Sequence, residues 1–128
     1  MNKFEGPTGV FLSATALEPH RIVKITGAAS GLNPPTVGYA GAADTVEADK
    51  VIGVTTTRAT GAGQPVTVEF LHSPGTRVFT ATVAIASAGF CFAAADGQVA
   101  ATGSVKRGVA VDASTAAGNY LAAVPILN

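Results

Sequence analysis

The sequence is poor in charge, in aromatic residues and in cysteine. Only 12% of its 128 residues are charged, about half of the usual quarter, and it has no tryptophan. The single cysteine, Cys91, excludes an intramolecular disulfide. The 8 basic and 8 acidic residues form no basic run, so we expect no nucleic-acid partner bound through its phosphates.

Small apolar residues take the place of the missing charge. Hydrophobic residues make up 48% of the chain, and most of them are alanine and valine. A surface with so few charges is hard to keep soluble as a free monomer. We therefore expect much of it to be covered by copies of the same chain or by a partner. By length the chain is one domain with a modest core.

The uncharged stretch of residues 78–95 is long enough to be tested as a membrane span. Bulkier side chains alternate with small and polar ones between Phe79 and Ile85, which is the period of a β-strand. We therefore expect no membrane partner. The first residues carry charges, a glycine and a proline, and show no secretion signal.

A 17-residue unit occurs twice, at residues 51–67 and again, without a gap, at 106–122. The alignment places Gly53 on Gly108 and Gly63 on Gly118, and it sets Val66 against Leu121. Each copy begins with a segment that contains Gly-Val, continues with a turn of small residues and ends with an apolar run. The pattern predicts one strand-turn-strand unit used twice, and two copies are too few for a solenoid.

Short β-branched and apolar runs, separated by glycine or proline at intervals of roughly ten residues, predict an all-β fold. We expect a small β-barrel or sandwich of about eight to nine short strands, with residues 20–128 as a single all-β domain. Residues 1–19 have no sustained period but are too apolar for a solvated tail. They are interpreted either as an N-terminal arm that docks on another protein or as a strand packed on its own domain.

No catalytic residue, metal ligand set or cofactor motif is predicted, and the chain does not resemble an enzyme. His20 and His72 have no ligand-spaced neighbours. Cys91 lies between two phenylalanines, as a packed residue would. The acidic residues of segment 44–49 match no calcium loop, and no nucleotide-binding loop is present, so an ATP-dependent accessory role is not supported.

The second half contains Ala-Ser-Ala-Gly-Phe-Cys-Phe (86–92), Ala-Asp-Gly-Gln-Val (95–99), Arg-Gly-Val-Ala (107–110) and Ala-Ala-Gly (116–118), followed by an apolar strand. With the earlier copy of the unit (51–54 and 61–68), this order resembles the small capsid decoration, or cement, proteins of tailed bacteriophages over roughly residues 50–128. Phe90 stands where that family often has a polar residue, and Lys106-Arg107 replaces its usual apolar pair.

The resemblance implies a compact β-barrel or β-tulip domain. It also implies a homotrimer on the outside of an icosahedral phage head, bound to the major capsid protein and stabilising its lattice. The protein would be part of the virion, at the capsid surface, and assembled in the host cytoplasm. The capsid-contact residues would be those of the apolar arm: Phe4, Val10, Phe11 and Leu12. The alternative is a carbohydrate- or host-surface-binding module of a phage fibre, for which Tyr39 and Tyr120 are the candidate aromatic residues.

Overall fold

The computed structural model describes residues 8–128, which form an all-β fold. A single-turn helix, α1 (Val46–Asp49), and a 3₁₀ turn (Ala95–Gly97) accompany the strands. The strands are β1 (Thr8–Ser13), β2 (Ile22–Gly27), β3 (Thr36–Tyr39), β4 (Val51–Thr55), β5 (Pro65–Phe70), β6 (Arg77–Thr80), β7 (Phe90–Ala93), β8 (Val99–Ala100), β9 (Lys106–Ala110) and β10 (Tyr120–Pro125). The described residues thus contain ten strands, slightly more than the eight or nine expected, and the predicted fold class is confirmed.

The strands form two sheets of five. Strands β1-β3-β2-β4-β5 close into a barrel, and the second sheet has the order β6-β10-β9-β7-β8. A single parallel bridge between Ala81 and Val99 brings the two ends of the second sheet together. The second sheet is therefore curled in the same sense as the barrel, and one bridge joins its ends where two residue pairs join those of the barrel.

Hairpins β4–β5 and β9–β10 are the two sequence copies, and they pair in the same register. Gly53 lies opposite Phe70 in the first hairpin, and Gly108 lies opposite Pro125 in the second. Both members of the second pair follow their counterparts by the 55 residues that separate the sequence copies. The prediction of a duplicated strand-turn-strand unit is confirmed.

The duplication extends to the strand that precedes each hairpin. Strand β2 pairs with β4 through Val23 and Gly53, and the register shifts immediately after this pair. Strand β7 pairs with β9 through Cys91 and Gly108, and its register shifts at the same place. A bulge at an equivalent position in both pairs is a shared feature of the backbone and not a local irregularity.

The remaining strands of the two sheets are also equivalent. The parallel contact of Ser13 with Val37 closes the first barrel, and the bridge of Ala81 with Val99 is its counterpart in the second sheet. Strand order around both sheets is then identical, with β6, β8, β7, β9 and β10 in the places of β1, β3, β2, β4 and β5. We call residues 8–71 the first repeat and residues 77–126 the second repeat.

Backbone conformation repeats at single residues as well. His20 and Ala88 each lead into the second strand of their repeat, and both have a left-handed φ, 62° and 65°. Gly63 and Gly118 lie at equivalent positions of the two hairpin turns and also have a left-handed φ, 78° and 82°. Left-handed backbone is uncommon for residues other than glycine, so its recurrence at His20 and Ala88 supports the duplication independently of strand pairing.

Two clusters of buried side chains hold the fold together. The first fills the closed barrel with Phe11, Leu17, Val23, Val37, Ala59, Val66, Val68 and Phe70. The second combines the interior of the second sheet with residues on the outside of the first barrel, namely Ile22, Val51 and Val54. The two repeats therefore share a core, in which each fully buried large aliphatic side chain contributes about 1.5–3 kcal/mol.

Residues 8–19 are part of the barrel, which corrects the interpretation of residues 1–19 as a separate arm. Strand β1 pairs along its length with β5 and closes the barrel against β3. Phe11 is 3% exposed, and its ring packs edge-on against Phe70 with centroids 6.1 Å apart. Of the two alternatives, the packed strand therefore applies here, because without β1 the edge of β5 would be unpaired. Phe4 lies outside the described residues.

The strand predicted from the alternation between Phe79 and Ile85 begins at Arg77 and ends at Thr80. Beyond it, Ala81 and Ile85 make only isolated bridges, as Leu17 does at the corresponding place in the first repeat. The alternating sequence pattern thus continues beyond the last residue of β6 that is part of a continuous β-ladder. No helix within residues 8–128 has the length and apolar character needed to cross a membrane.

Candidate interaction surface

The outside of the second repeat carries a contiguous apolar surface. Phe90, Val109 and Val124 are direct neighbours across β7, β9 and β10. Phe90 is 45% exposed and Val124 51% exposed. With Phe92, which alternates with buried residues along β7, and Val111, which directly follows β9, they form what we call the outer face (Phe90, Phe92, Val109, Val111 and Val124).

Aromatic contacts and one lysine organise this face. The rings of Phe90 and Phe92 meet edge to face with centroids 6.3 Å apart. Lys106 Nζ lies 4.1 Å from the centroid of the Phe90 ring, a cation–π contact worth about 0.5–1 kcal/mol at an exposed site. The lysine stem covers apolar surface while its ammonium group stays in water. The arrangement offers a rigid aromatic anchor bordered by a positive charge.

The equivalent surface of the first repeat is covered. Ile22 and Val54 hold the positions of Phe90 and Val109, and they are 0% and 2% exposed because the second repeat packs on them. Gly97 approaches so closely that a Cβ there would lie 2.9 Å from Ile22 N. One copy of this face is therefore a joint within the chain, and the other is exposed.

Backbone hydrogen bonds fix the joint between the repeats. Thr80 donates to His20 O from both its amide nitrogen (3.1 Å) and its hydroxyl (2.9 Å). Gly97 N donates to Ala40 O at 2.9 Å, and Arg21 Nη1 donates to the carbonyl oxygen of Asp96 at 3.0 Å. The end of β6 and the 3₁₀ turn of the second repeat thus lie directly on the first.

Arg107 is buried beside this joint and is 1% exposed. Its Nη2 donates to Gly41 O at 3.3 Å, whereas Nε and Nη1 have no hydrogen-bond partner among the described residues. Burial lowers the pKa of its guanidinium, an effect that Asp44 and Asp49 oppose by attraction. Ile52 holds the equivalent position in the first repeat, so a charged group occupies an apolar site of the fold.

The acidic residues of segment 44–49 stabilise local structure. Asp44 forms a 2.7 Å ion pair with Lys24 and accepts a hydrogen bond from Gly41 N, and these two interactions lower the pKa of its carboxyl group. Asp49 Oδ2 accepts from Thr45 N at the start of α1. Within residues 8–128 there is no group of three or more His, Cys, Asp or Glu side chains placed to hold a metal ion.

The other chemically interesting side chains are packed against neighbours. Cys91 is fully buried in the second repeat, and burial raises the pKa of its thiol to about 11. A protonated, inaccessible thiol is a poor nucleophile. His20 packs against the ring of Tyr120 (4.6 Å between centroids), and His72 stacks on Phe70 at 5.3 Å.

Of the predicted capsid-contact residues, the three within the described part of the chain lie on both sides of β1. Val10 is 44% exposed on the outside of β1, Leu12 is half-buried and Phe11 lies in the barrel core. Sequence reasoning missed the outer face. A signal was present in Phe90 and Phe92, which alternate with Cys91 and Ala93 in an uncharged strand, so two aromatic side chains had to share one side of the sheet.

Tyr120 lies beside a shallow groove of about 290 Å³ between the repeats. Glu18 and Arg21 also line it, and Tyr120 is 55% exposed. Glu18 forms a 2.7 Å ion pair with Arg58. Tyr39 is not part of this groove lining, and its hydroxyl accepts a hydrogen bond from Glu18 N. Only one of the two candidate tyrosines is therefore placed beside a carboxylate in an open groove.

Comparison with known proteins finds similarity at the level of structure. No protein-family model and no curated protein sequence matches this chain. A solved structure, the N base of the head fibre gp8.5 of bacteriophage phi29, aligns with it at a TM-score of 0.72 and 13% sequence identity. The alignment covers 94% of each chain. The likeness is one of fold. It includes both repeats, because so little of either chain is left out.

Proposed function

We propose that this chain is a structural protein of a phage virion that attaches to the outside of the head, as a decoration protein or as the base of a head fibre. Its partners are further copies of itself, as a homotrimer, and the major capsid protein. The observation that carries the proposal is the fold shared with a head-fibre base over 94% of both chains. The sequence resemblance of residues 50–128 to decoration proteins supports it from a separate source.

The composition and the exposed apolar surface agree with a role in contact and not in catalysis. A charge-poor protein with an aromatic patch on a rigid sheet is suited to packing against neighbours. A trimer that binds through three linked sites gains avidity over a single site, by about 10²–10⁴-fold where the geometry allows simultaneous contact. Modest affinity at each site is therefore sufficient for stable attachment to a head lattice.

Co-sedimentation with purified phage heads that lack this protein tests the proposal. We expect saturable binding, with a stoichiometry fixed by the lattice, and heads that withstand higher temperature once they are decorated. Binding that does not saturate, or an absence of binding to heads and to isolated major capsid protein, would contradict it.

The N-terminal contact can be tested without damage to the barrel. Deletion of residues 2–15 would remove β1, so loss of binding could reflect unfolding. Deletion of residues 2–7 removes Phe4 and leaves β1 complete, and Val10→Asp changes an exposed position on the strand. If the N-terminal segment contacts the capsid, both variants stay folded and bind heads more weakly. Wild-type occupancy by both would exclude this contact.

A second candidate function is recognition of carbohydrate by a fibre component. The groove beside Tyr120 favours it, because sugar sites commonly combine an exposed aromatic ring with a carboxylate, and Glu18 provides one. A glycan array probed with the wild type and with Tyr120→Ala tests this. Hits that disappear in the variant would support the function, and an array without hits would remove it.

A further inference from the structure

The joint between the two repeats shows how one repeat packs on another. The outside of the first repeat, at Ile22 and Val54, receives the end of the second repeat formed by Thr80 and the 3₁₀ turn. This contact is head-to-tail, because the two repeats contribute different surfaces. Head-to-tail contacts can recur with each added unit, which generates rings or filaments.

Both surfaces of one more such joint are exposed on the same chain. The receiving surface is the outer face of the second repeat, centred on Phe90. The inserting surface is the loop between β2 and β3 (28–35), which holds the place of the 3₁₀ turn in the first repeat. Leu32 in this loop is 98% exposed, an unusual position for a large apolar side chain.

Side-chain character on the outer face argues that it is covered in the working protein. Lys24 and Glu69 border the covered surface of the first repeat, and their equivalents in the second repeat are Phe92 and Val124. The exposed copy of the surface is thus more apolar at these two positions than the covered copy. A face that remained in water would be expected to keep both charges. The one charge that the exposed copy gains, Lys106 in the place of Val51, lies over the ring of Phe90.

We propose that a second copy of this chain packs head-to-tail on the outer face, with its 28–35 loop placing Leu32 against Phe90. Closure after three copies gives a ring of six repeats, in which joints within and between chains alternate. The inference deepens the self-association part of the proposed function and rests on it. It does not depend on what the assembled ring binds.

The joint between copies is weaker than the joint within the chain. Thr80 N donates across the internal joint to His20 O, whereas its equivalent, Leu12 N, already donates to Pro35 O within the closed barrel. The contact between copies therefore lacks this hydrogen bond and depends on apolar packing. Its stability should fall on dilution over the range in which the chain itself stays folded.

Complementary variants test the geometry. Phe90→Glu damages the receiving surface, and Leu32→Glu damages the inserting loop. Val83→Glu is the control, because Val83 lies outside both surfaces and its exposed fraction (44%) is close to that of Phe90. Light scattering should give the wild type and Val83→Glu a mass of three chains. Each single variant should be monomeric, with affinity reduced about 30-fold or more, as for an interface anchor.

Mixing the two variants separates head-to-tail packing from a symmetric contact. Phe90→Glu retains an intact loop and Leu32→Glu an intact outer face, so the mixture should form a dimer of one copy each. A symmetric contact between two outer faces would give no such rescue. Monomeric wild type at every concentration, trimeric Phe90→Glu with native circular dichroism, or a mixture that stays monomeric would each overturn the proposal.

A folding control and the separation from capsid binding complete the test. Val124→Glu is a second variant of the outer face and should behave as Phe90→Glu does. All variants should retain the wild-type circular dichroism spectrum. The measurement uses purified protein alone, so a failed joint leaves the head-binding experiment to be decided separately.

Discussion

Gly53 and Gly108 are the sharpest test of the duplication, because each is needed for the same steric reason. A Cβ built on Gly108 would lie 2.6 Å from Val124 O and 3.3 Å from the ring of Phe79. A Cβ on Gly53 would lie 2.6 Å from Val68 Cγ1 and would also overlap the carbonyl oxygen of Glu69. These carbonyl groups belong to the partner strand of each hairpin, so they cannot move without disturbing the ladder.

Replacement of either glycine by alanine should destabilise the fold by overpacking, by about 1–3 kcal/mol. For a chain of this length the melting temperature should fall by about 4 °C per kcal/mol. Urea denaturation gives the change in unfolding free energy directly, provided that the m-value stays unchanged. Protein concentration must be held constant, so that the proposed self-association affects all variants equally.

Two other glycines separate steric from conformational effects. A methyl group added at Gly61 would have no neighbouring atom nearer than 4.0 Å, and φ there is not left-handed, so alanine should be neutral or stabilising by up to about 1 kcal/mol. Gly63 has open space but a φ of 78°, so alanine should cost about 1 kcal/mol through the backbone alone. If Gly53→Ala and Gly108→Ala matched Gly61→Ala, the close approach would be refuted. If only one of the pair destabilised, the two sites would not be equivalent.

Three further predictions concern titratable groups. Arg107→Ile introduces the residue type of the equivalent position, Ile52. The unfolding free energy of this variant should equal or exceed that of the wild type, because a buried guanidinium with few partners is costly to desolvate. A loss of unfolding free energy above about 2 kcal/mol would contradict this. Cys91 should not react with a thiol reagent at pH 8 in the folded protein and should react fully in denaturant, because burial raises the pKa of its thiol to about 11. Asp44 has a pKa below its ordinary 3.8, so its ion pair with Lys24 contributes stability above that pH, which is lost as pH falls through the lower folded value. Acid titration should therefore destabilise the wild type more steeply than Asp44→Asn below about pH 4, and identical curves would exclude this contribution.

Only part of the duplication could be found in the sequence. Hairpins β4–β5 and β9–β10 align without gaps, and glycine is required at the same steric positions, so identities survive there. In the strands that precede these hairpins, the equivalent residues share their burial but not their type. Val23 and Cys91, for example, are equivalent and both fully buried. Loops of different length shift the spacing from 68 residues to 55, so no single ungapped alignment covers both repeats.

The position of the N-terminal strand could not be decided from local sequence. An apolar segment next to glycine and proline suits an arm as well as a strand, and the choice depends on whether another strand offers a free edge. That edge belongs to β5, whose contact with Thr8 is through Glu69, far along the chain. The outer face was missed for a related reason, since Phe90, Val109 and Val124 become neighbours only when three strands pair.

The joint observed within the chain and the joint proposed between copies differ in the interactions that hold them together. Within the chain, apolar packing is reinforced by backbone hydrogen bonds such as that from Gly97 N to Ala40 O, so the repeats remain together. On the exposed copy, Lys106 lies over Phe90 and keeps its ammonium group in water at the edge of the patch. Under the proposed function, many copies are held close together on a head lattice, where a contact that is weak alone becomes effective. The proposed assembly therefore assigns to the outer face of the second repeat the same kind of contact that Ile22 and Val54 of the first repeat make within the chain.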